Sequence, residues 1–189
     1  MSIVAINGSP RPKQNTYNLI KEVITGAEQA GATVKLFQLG EMDVAPCNAC
    51  RACVSTAKCV VKDDMRQIYE AIGSASAPKG LIIGTPIYFD HLSAQIKACL
   101  DRLYSYTYTE LGQKMFPKGF KAVLVATYDA NSSGDYDAVL DWLADRLAFY
   151  HEIETVAKIA QPKASETPLA KLPDLITKAR DAGAKLTEK

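Results

Sequence analysis

Two apolar patterns alternate along this chain of 189 residues. Short unbroken apolar runs, typical of strands buried on both faces, predict strands at residues 3–7, 33–39, 80–85, 121–127 and 152–159. Apolar stripes spaced three and four residues apart, typical of amphipathic helices, predict helices at residues 16–30, 65–72, 93–103, 136–149 and 168–186. Asp63 or Asp64 is expected to cap the second of these helices.

The alternation of strands and helices predicts the fold class. It indicates an α/β protein with a parallel sheet and helices on both faces. Because crossovers between parallel strands are right-handed, a doubly wound single domain over residues 1–189 is the economical arrangement. Residues 40–62 have no regular period and are predicted to be an insertion. We expect this insertion at the carboxyl ends of the strands, where ligand-binding loops gather.

The loop after the first strand has the composition of an anion site. Residues 8–16 read Gly-Ser-Pro-Arg-Pro-Lys-Gln-Asn-Thr, with hydroxyls, amides and cations but no acid. The loop ends at a helix N-terminus, where free N–H groups and the helix dipole favour an anion. It has one glycine, so it matches neither the dinucleotide fingerprint nor the P-loop. A single terminal phosphate suits it best; a capped helix start with solvated basic side chains is the alternative.

The third predicted strand leads into a second candidate binding loop at residues 84–91. Pro86 restricts the residue before it and fixes the turn, while Tyr88 and Phe89 supply flat apolar surface where a crevice should open. A planar ring with hydrogen-bonding edges would fit there. Packing of both aromatic rings against the core is the alternative. His91 is either a ligand contact or a plain polar loop residue.

Two further stretches have open roles. The loop at residues 128–135 is polar and, with Thr127 and Tyr128 at its start, is expected to close over a ligand shared with the other two loops. Residues 104–109 alternate aromatic and polar side chains. That pattern is compatible with a pocket border, a subunit interface, an edge strand or a packed loop.

Four of the five cysteines lie in one short window: Cys47, Cys50, Cys53 and Cys59. Such thiols can hold an iron–sulfur cluster or one zinc ion, or they can stay free on a loop with redox chemistry of their own. The tight Cys-x2-Cys-x2-Cys run suits a cluster better than the paired knuckles of a zinc site. Cys99 lies on an apolar helical stripe and is predicted to be a core residue.

Composition narrows the range of functions. Apolar residues make up 48% of the chain, charged residues make up 23%, and the net charge is +1. No strong field therefore favours nucleic acid or an anionic membrane. The longest apolar runs are too short to span a bilayer, and the first residues have the pattern of a strand rather than a signal peptide. We expect a cytoplasmic protein whose thiols stay reduced.

Several of these motifs together resemble a known family. The chain is similar to the NADPH-dependent FMN reductase family of flavodoxin-like proteins in Gly-Ser-Pro-Arg at 8–11 with Asn15 and Thr16, in Thr-Pro-Ile-Tyr-Phe at 85–89, and in the segment from Ser93 to Arg102. The four clustered cysteines followed by Asp63-Asp64-Met65 resemble the iron–sulfur flavoprotein branch of that family. The resemblance covers roughly the first two-thirds of the chain.

The resemblance implies a fold, cofactors and an assembly. It implies a flavodoxin-like five-stranded parallel sheet of order 2-1-3-4-5, one FMN per subunit, and a homodimer or homotetramer with flavin sites near the interfaces. The implied FMN-binding residues are Ser9, Arg11, Gln14, Asn15 and Thr16 in the phosphate loop, Pro86, Ile87, Tyr88 and Phe89 along the isoalloxazine, and Thr127 and Tyr128. The implied cluster is a [4Fe–4S] centre on Cys47, Cys50, Cys53 and Cys59, close to the flavin of a neighbouring subunit.

The expected function is that of an FMN-dependent NAD(P)H oxidoreductase. Electrons would pass from a nicotinamide, as co-substrate, to a small-molecule acceptor such as a flavin or quinone. Because the flavin carries the chemistry, no catalytic side chain is required. Two alternatives stay open: an electron carrier reduced by a ferredoxin-type protein, and a redox sensor whose thiols respond to oxidation.

Overall fold

The computed structural model describes residues 1–73, 79–107, 116, 118–130 and 134–188, and strands alternate with helices along them. The strands are β1 (Ser2–Asn7), β2 (Thr33–Gln38), β3 (Gly80–Tyr88), β4 (His91–Leu92), β5 (Lys121–Thr127) and β6 (Glu154–Gln161). The helices are α1 (Asn15–Gln29), α2 (Ala52–Thr56), α3 (Met65–Ile72), α4 (Ala94–Arg102), α5 (Asp137–His151) and α6 (Pro173–Lys185).

Five of these strands form the predicted parallel sheet. Their order is β2-β1-β3-β5-β6, which is the expected order of parallel strands and confirms the doubly wound fold. The sixth strand, β4, was not predicted: it has two residues and pairs antiparallel with the end of β3. As a result β3 runs to Tyr88, three residues beyond the predicted end at Thr85.

An apolar core covers each face of the sheet. On one face α1 and α6 pack over β1, β3 and β5, with Ile20 and Val23 fully buried. The two helices touch closely at Gly26, where a Cβ would lie 1.9 Å from the carbonyl oxygen of Arg180. On the other face lie α3, α4 and α5. Full burial of each large apolar side chain stabilises the fold by about 1.5–3 kcal/mol.

Cys99 lies in the core on the side of the sheet that α3, α4 and α5 cover, as predicted. Its side chain is fully buried, and its thiol lies 3.7 Å from the sulfur of Met65. Burial raises the pKa of this thiol to about 12. Cys99 is therefore an inert core residue, unlike the four clustered cysteines.

Some boundaries differ from the predicted ones. The last helix begins at Pro173 rather than at residue 168, because proline is favoured at the first helical position. The aperiodic insertion contains the short helix α2. Of the two candidate caps of α3, Asp63 accepts a hydrogen bond from the Met65 N–H, at 3.2 Å.

Part of two predicted stretches lies outside the described residues, namely 108–109 and 131–133. Residues Leu103–Tyr106 form a 3₁₀ turn directly after α4 rather than an edge strand. Within the described part of the chain, no helix is both long and apolar enough to cross a membrane.

Candidate functional site: a cleft and a cysteine cavity

The loop after β1 is held in place by its own polar groups and by α4. The side-chain oxygen of Asn7 accepts a hydrogen bond from the Ser9 N–H, at 3.0 Å. Ser93, the N-cap of α4, donates its hydroxyl to the Gly8 carbonyl, at 2.6 Å. Gly8 must be a glycine because a Cβ there would lie 2.6 Å from the Cβ of Ile96. The protein thus fixes this loop without help from a ligand.

Helix α1 begins directly after this loop. Gln14 occupies the N-cap position, and its side chain makes no capping hydrogen bond. The side-chain amide of Asn15 donates a hydrogen bond to the backbone carbonyl of Ala164, which follows β6, at 2.8 Å. The hydroxyl of Thr16 lies 2.7 Å from that of Thr127 at the end of β5. The capped helix start, which was the alternative to an anion site, lacks its capping side chain.

The loop and the strand ends border one open cleft of about 260 Å³ at the carboxyl edge of the sheet. All of the implied FMN-binding residues except Phe89 line it: Ser9, Arg11, Gln14, Asn15, Thr16, Pro86, Ile87, Tyr88, Thr127 and Tyr128. Asp129, Ala130, Tyr136 and Ala164 complete the lining. Loops far apart in sequence therefore meet where the strand order reverses, which is where ligands of open α/β sheets bind.

The two aromatic residues at the end of β3 lie in different environments. Tyr88 lines the cleft, whereas Phe89 is fully exposed at the tip of the hairpin between β3 and β4. Phe89 and Asp90 have φ angles of 49° and 59°, as two-residue hairpin turns require. The structure therefore does not bring Phe89 to the cleft. His91 packs edge-on against Trp142, with ring centroids 5.2 Å apart.

Two cleft residues were missed from the sequence. Tyr136 donates its hydroxyl to the Asp90 carboxylate, at 2.6 Å, and packs edge-to-face against Tyr128, at 4.9 Å between centroids. Burial raises the pKa of the Tyr128 hydroxyl, which is therefore neutral near pH 7. Ala164 follows β6. Its place at the cleft could have been inferred from the sequence, because every strand of a parallel sheet ends at this edge.

The four clustered cysteines line a second cavity, of about 480 Å³, with Asp101 and Arg102 at the end of α4 and Tyr104 in the turn after it. Their thiols are free. Burial raises the pKa of the Cys53 thiol, and the other three thiols act in the same direction. Among the described residues, no three or more Cys, His, Asp or Glu side chains stand close enough together to hold a metal ion. The sulfurs therefore surround a space rather than converge on one point.

The ends of the cysteine loop are tied together by Asp63 and Arg102. Arg102 donates to both carboxylate oxygens of Asp63, at 2.6 Å and 3.0 Å, and both side chains are almost fully buried. The Ala45 N–H donates to Asp63, at 3.0 Å, and its carbonyl accepts from Arg102, at 2.9 Å. Asp43 and Asp64 join the same segments through a pair of hydrogen bonds, each of 2.9 Å. The loop from Ala45 to Asp63 is thus closed at its base.

Both members of the ion pair are charged near neutral pH. Burial alone would lower the pKa of Arg102, but Asp63 and then the neighbouring Tyr69 and Cys59 side chains raise it above its ordinary value. Burial alone would raise the pKa of Asp63, but the Arg102 hydrogen bonds hold it below its usual value. One buried donor is left over: within the described residues, Arg102 Nε has no hydrogen-bond partner.

The backbone of the cysteine loop is strained. Ala49, Arg51 and Ala57 have φ angles of 55°, 61° and 53°, a region that residues other than glycine seldom adopt. Two of them flank Cys50 directly. Such strain clusters at functional sites, and turns of this kind point successive N–H groups into anion-binding concavities that include iron–sulfur sites.

The cleft and the cysteine cavity lie at opposite ends of α4. Ser93 at its start contacts the loop after β1, while Arg102 at its end lines the cavity. The nine residues of α4 span ~13 Å at 1.5 Å per residue. The expectation that the insertion lies at the carboxyl edge of the sheet stays a prediction for the cysteines, which share their cavity with residues at the end of α4.

Comparison with known sequences identifies relatives. Residues 1–135 match the family model described as NADPH-dependent FMN reductase. The chain is 34% identical over 102 residues to an iron–sulfur flavoprotein of Methanocaldococcus jannaschii, covering 54% of this chain and 51% of the relative. It is 38% identical over 102 residues to an iron–sulfur flavoprotein of Methanosarcina thermophila, covering 54% and 52%. The chain spans about half the length of these curated relatives.

Solved structures share the fold over the whole chain. An NAD(P)H:quinone oxidoreductase from Methanothermobacter marburgensis superposes with a TM-score of 0.77 at 20% identity, covering 100% of this chain and 97% of that one. An FMN-dependent NADH-azoreductase from Bacillus anthracis, solved in complex with FMN, gives a TM-score of 0.71 at 14% identity, with 100% of both chains covered. At these sequence identities the comparison shows a shared fold and nothing further.

Proposed function

The chain belongs to the NADPH-dependent FMN reductase family, and on this premise we propose that it binds one FMN in the cleft and reduces it with NAD(P)H. The observation that carries the proposal is the convergence of the loop after β1, the end of β3 and the loop after β5 on that single cleft. In this proposal, these elements would supply a phosphate site and an aromatic wall to the same space. The protein is accordingly an oxidoreductase.

The residues of the cleft fit FMN. The N-terminus of α1, with Ser9 and Arg11 beside it, suits a phosphate because N–H groups and a cation face the same space. Tyr88 and Ile87 provide an apolar wall for a planar ring. FMN, when bound, accepts a hydride and can pass electrons on singly or in pairs. The chain's own part is to hold, orient and shield this group.

We propose further that the four cysteines hold a [4Fe–4S] cluster. A single zinc ion needs all its thiolates within ~2.3 Å of one point, and among the described residues no three of the thiols are placed closely enough for that. A larger group bridging the sulfurs fits that arrangement, as do the strained turns around Cys50. The names of the curated relatives, iron–sulfur flavoproteins, support the same assignment.

Electrons would then pass from nicotinamide to flavin and on to a flavin, a quinone or the cluster. Within one chain, the loop that borders the cleft and the cavity contact opposite ends of α4, whose nine residues span ~13 Å. A homodimer or homotetramer in which the cluster of one subunit approaches the flavin of its neighbour would shorten that path. Such an assembly in the cytoplasm remains our working proposal.

A second candidate function is that of an electron carrier reduced by a ferredoxin-type protein. Cys47 and Cys50 are exposed, so the cysteine cavity opens to the surface, where a protein donor can approach. In this case the cluster would receive electrons first and the flavin second. Direct reaction with nicotinamide would be slow.

Anaerobic purification with a visible spectrum and assays of FMN, iron, sulfide and zinc tests the cofactor content. We expect a yellow-brown protein with one FMN and one [4Fe–4S] cluster per chain. Flavin without iron after reconstitution would overturn the cluster and leave a simple flavin reductase. A chain that takes up no FMN would overturn the function proposed for the cleft.

A further inference from the structure

Arg102 has one donor that the protein leaves unused. Its two terminal nitrogens bond to Asp63 and to the Ala45 carbonyl. The third nitrogen, Nε, is buried and has no hydrogen-bond partner among the described residues. Leaving a buried donor without a hydrogen-bond partner destabilises a protein, and more so when the donor belongs to a charged group. Such a cost at a well-built site indicates a partner that binds later.

The cysteine cavity is where that partner would bind. Arg102 lines the cavity together with Cys59, and the Cys59 side chain is close enough to raise the pKa of Arg102 through both hydrogen bonding and charge. Nε itself has no hydrogen-bond partner within the described residues. A thiolate is a better acceptor than a thiol, because hydrogen bonds to charged groups are about twice as strong as neutral ones.

We propose that Arg102 is a positioning residue of the cysteine site, whose Nε–H donates a hydrogen bond to the sulfur of Cys59 when that sulfur ligates the cluster. The proposal rests on the proposed function, since it requires a cluster on the four cysteines. Hydrogen bonds to the sulfurs and nearby charge set the reduction potentials of iron–sulfur clusters. Arg102 therefore favours the reduced cluster, which carries one more negative charge.

Arg102 is rigid enough for this role. The two carboxylate oxygens of Asp63 accept hydrogen bonds from both terminal nitrogens of its guanidinium. The Arg102 carbonyl accepts hydrogen bonds from the Tyr69 hydroxyl, at 2.8 Å, and from the Ser105 hydroxyl, at 3.2 Å. A donor fixed on both its backbone and its side chain is preorganised, so little reorganisation opposes the new bond.

A purely structural role makes a different prediction. If Arg102 only closed the base of the loop, the variant Arg102→Lys would keep the positive charge and an ion pair with Asp63, and the cluster potential would not change. If Arg102 also donates to Cys59, the lysine variant loses that donor, because lysine has a methylene group at the position of Nε and its ammonium lies farther along the side chain, at Asp63. The potential therefore separates the two roles.

The test is anaerobic reconstitution of the FMN-loaded wild type, Arg102→Lys and Arg180→Lys with iron and sulfide. Arg180 pairs with Glu22 on the surface, at 2.7 Å, and gives the matched arginine-to-lysine control. Iron per chain and the cluster midpoint potential, from an EPR-monitored titration, are the readouts. We expect Arg102→Lys to load iron but to reduce about tenfold less favourably, ~59 mV more negative for one electron, and Arg180→Lys to match the wild type.

An unchanged potential in Arg102→Lys at full iron content would overturn the proposal. If that variant does not load, the double variant Asp63→Asn with Arg102→Gln replaces the ion pair by two neutral amides. A more negative potential there supports the proposal, whereas a wild-type potential, or loss of iron from a folded double variant, overturns it. Wild-type protein that takes up no iron overturns the cluster and this inference together, while flavin reduction by NADPH in the same samples reports separately on the cleft.

Discussion

Asp63 and Arg102 form a buried, bidentate ion pair between the residue whose carboxylate accepts the first N–H of α3 and the last residue of α4. The pair also holds both backbone groups of Ala45, two residues before the first clustered cysteine. Removing two charges from water is costly, and only good geometry with further hydrogen bonds offsets that cost. This pair attaches the cysteine loop to the sheet and its helices.

Breaking the pair should destabilise the whole chain. In Asp63→Ala the Arg102 charge stays buried and unpaired, so we expect a loss of about 3–5 kcal/mol in the free energy of unfolding, measured by urea denaturation. The control is Lys97→Ala, which removes an exposed pair with Asp101 on the same helix and should cost under about 0.5 kcal/mol. Equal effects of the two substitutions would contradict a buried role for the pair.

The same pair predicts a dependence of stability on pH. Although burial opposes it, Arg102 holds the pKa of Asp63 below its usual value. The stabilisation is therefore complete above the unfolded-state pKa of about 3.9, and it is lost as the pH falls from there through the folded-state pKa. Urea midpoints measured from pH 7 down to pH 3 should fall more steeply in the wild type than in Asp63→Asn, which cannot titrate there. Parallel curves would argue against the pair.

Arg11 should contribute to FMN binding through the phosphate. Arg11 lines the cleft beside the start of α1, and a hydrogen bond to a charged group contributes about 1.5–3 kcal/mol. Arg11→Ala should therefore weaken FMN binding by about 10- to 100-fold, measured by quenching of flavin fluorescence. Lys13 lies in the same loop but does not line the cleft.

Lys13→Asn is the control for Arg11→Ala. It removes a loop charge, and asparagine tolerates the positive φ of 61° at this position. We expect less than a threefold change in FMN affinity, about 0.6 kcal/mol. If both variants weakened binding equally, the effect would be one of general loop charge and not of a phosphate contact.

The clustered cysteines should be needed for iron and not for flavin. Serine substitution of Cys47, Cys50, Cys53 or Cys59 should lower iron per chain after anaerobic reconstitution, while FMN content stays at the wild-type level, because the cavity and the cleft share no lining residue. Cys99→Ala is the control: it removes a core thiol that is fully buried and should leave the iron content unchanged. Full iron content in all four serine variants would contradict a cluster at this site.

The fold could be predicted because local patterns determine it. The runs at residues 3–7 and 80–85 are apolar throughout, as strands covered on both faces must be, and helices with an apolar stripe separate them. The order of the parallel strands followed from the family resemblance. The loop after β1 could be proposed as a phosphate site because the end of the first strand is a known ligand position in such sheets.

The remaining features depend on contacts that sequence patterns do not encode. The Asp63–Arg102 pair joins residues 39 positions apart, and no local period predicts it. The hairpin that turns Phe89 away from the cleft is formed by Phe-Asp, whereas asparagine and glycine are the residues that normally signal such a turn. The position of the cysteine loop beside the end of α4 depends on the hydrogen bonds at Ala45, which involve backbone groups common to almost all residues.

Anaerobic mixing of the FMN-loaded chain with NADPH, and separately with NADH, tests the proposed function most directly. We predict that at least one nicotinamide bleaches the visible absorbance of the flavin, with one nicotinamide oxidised for each flavin reduced. A flavin that stays oxidised with both nicotinamides, but is bleached by a reduced ferredoxin-type protein, would contradict the reductase and identify the chain as an electron carrier.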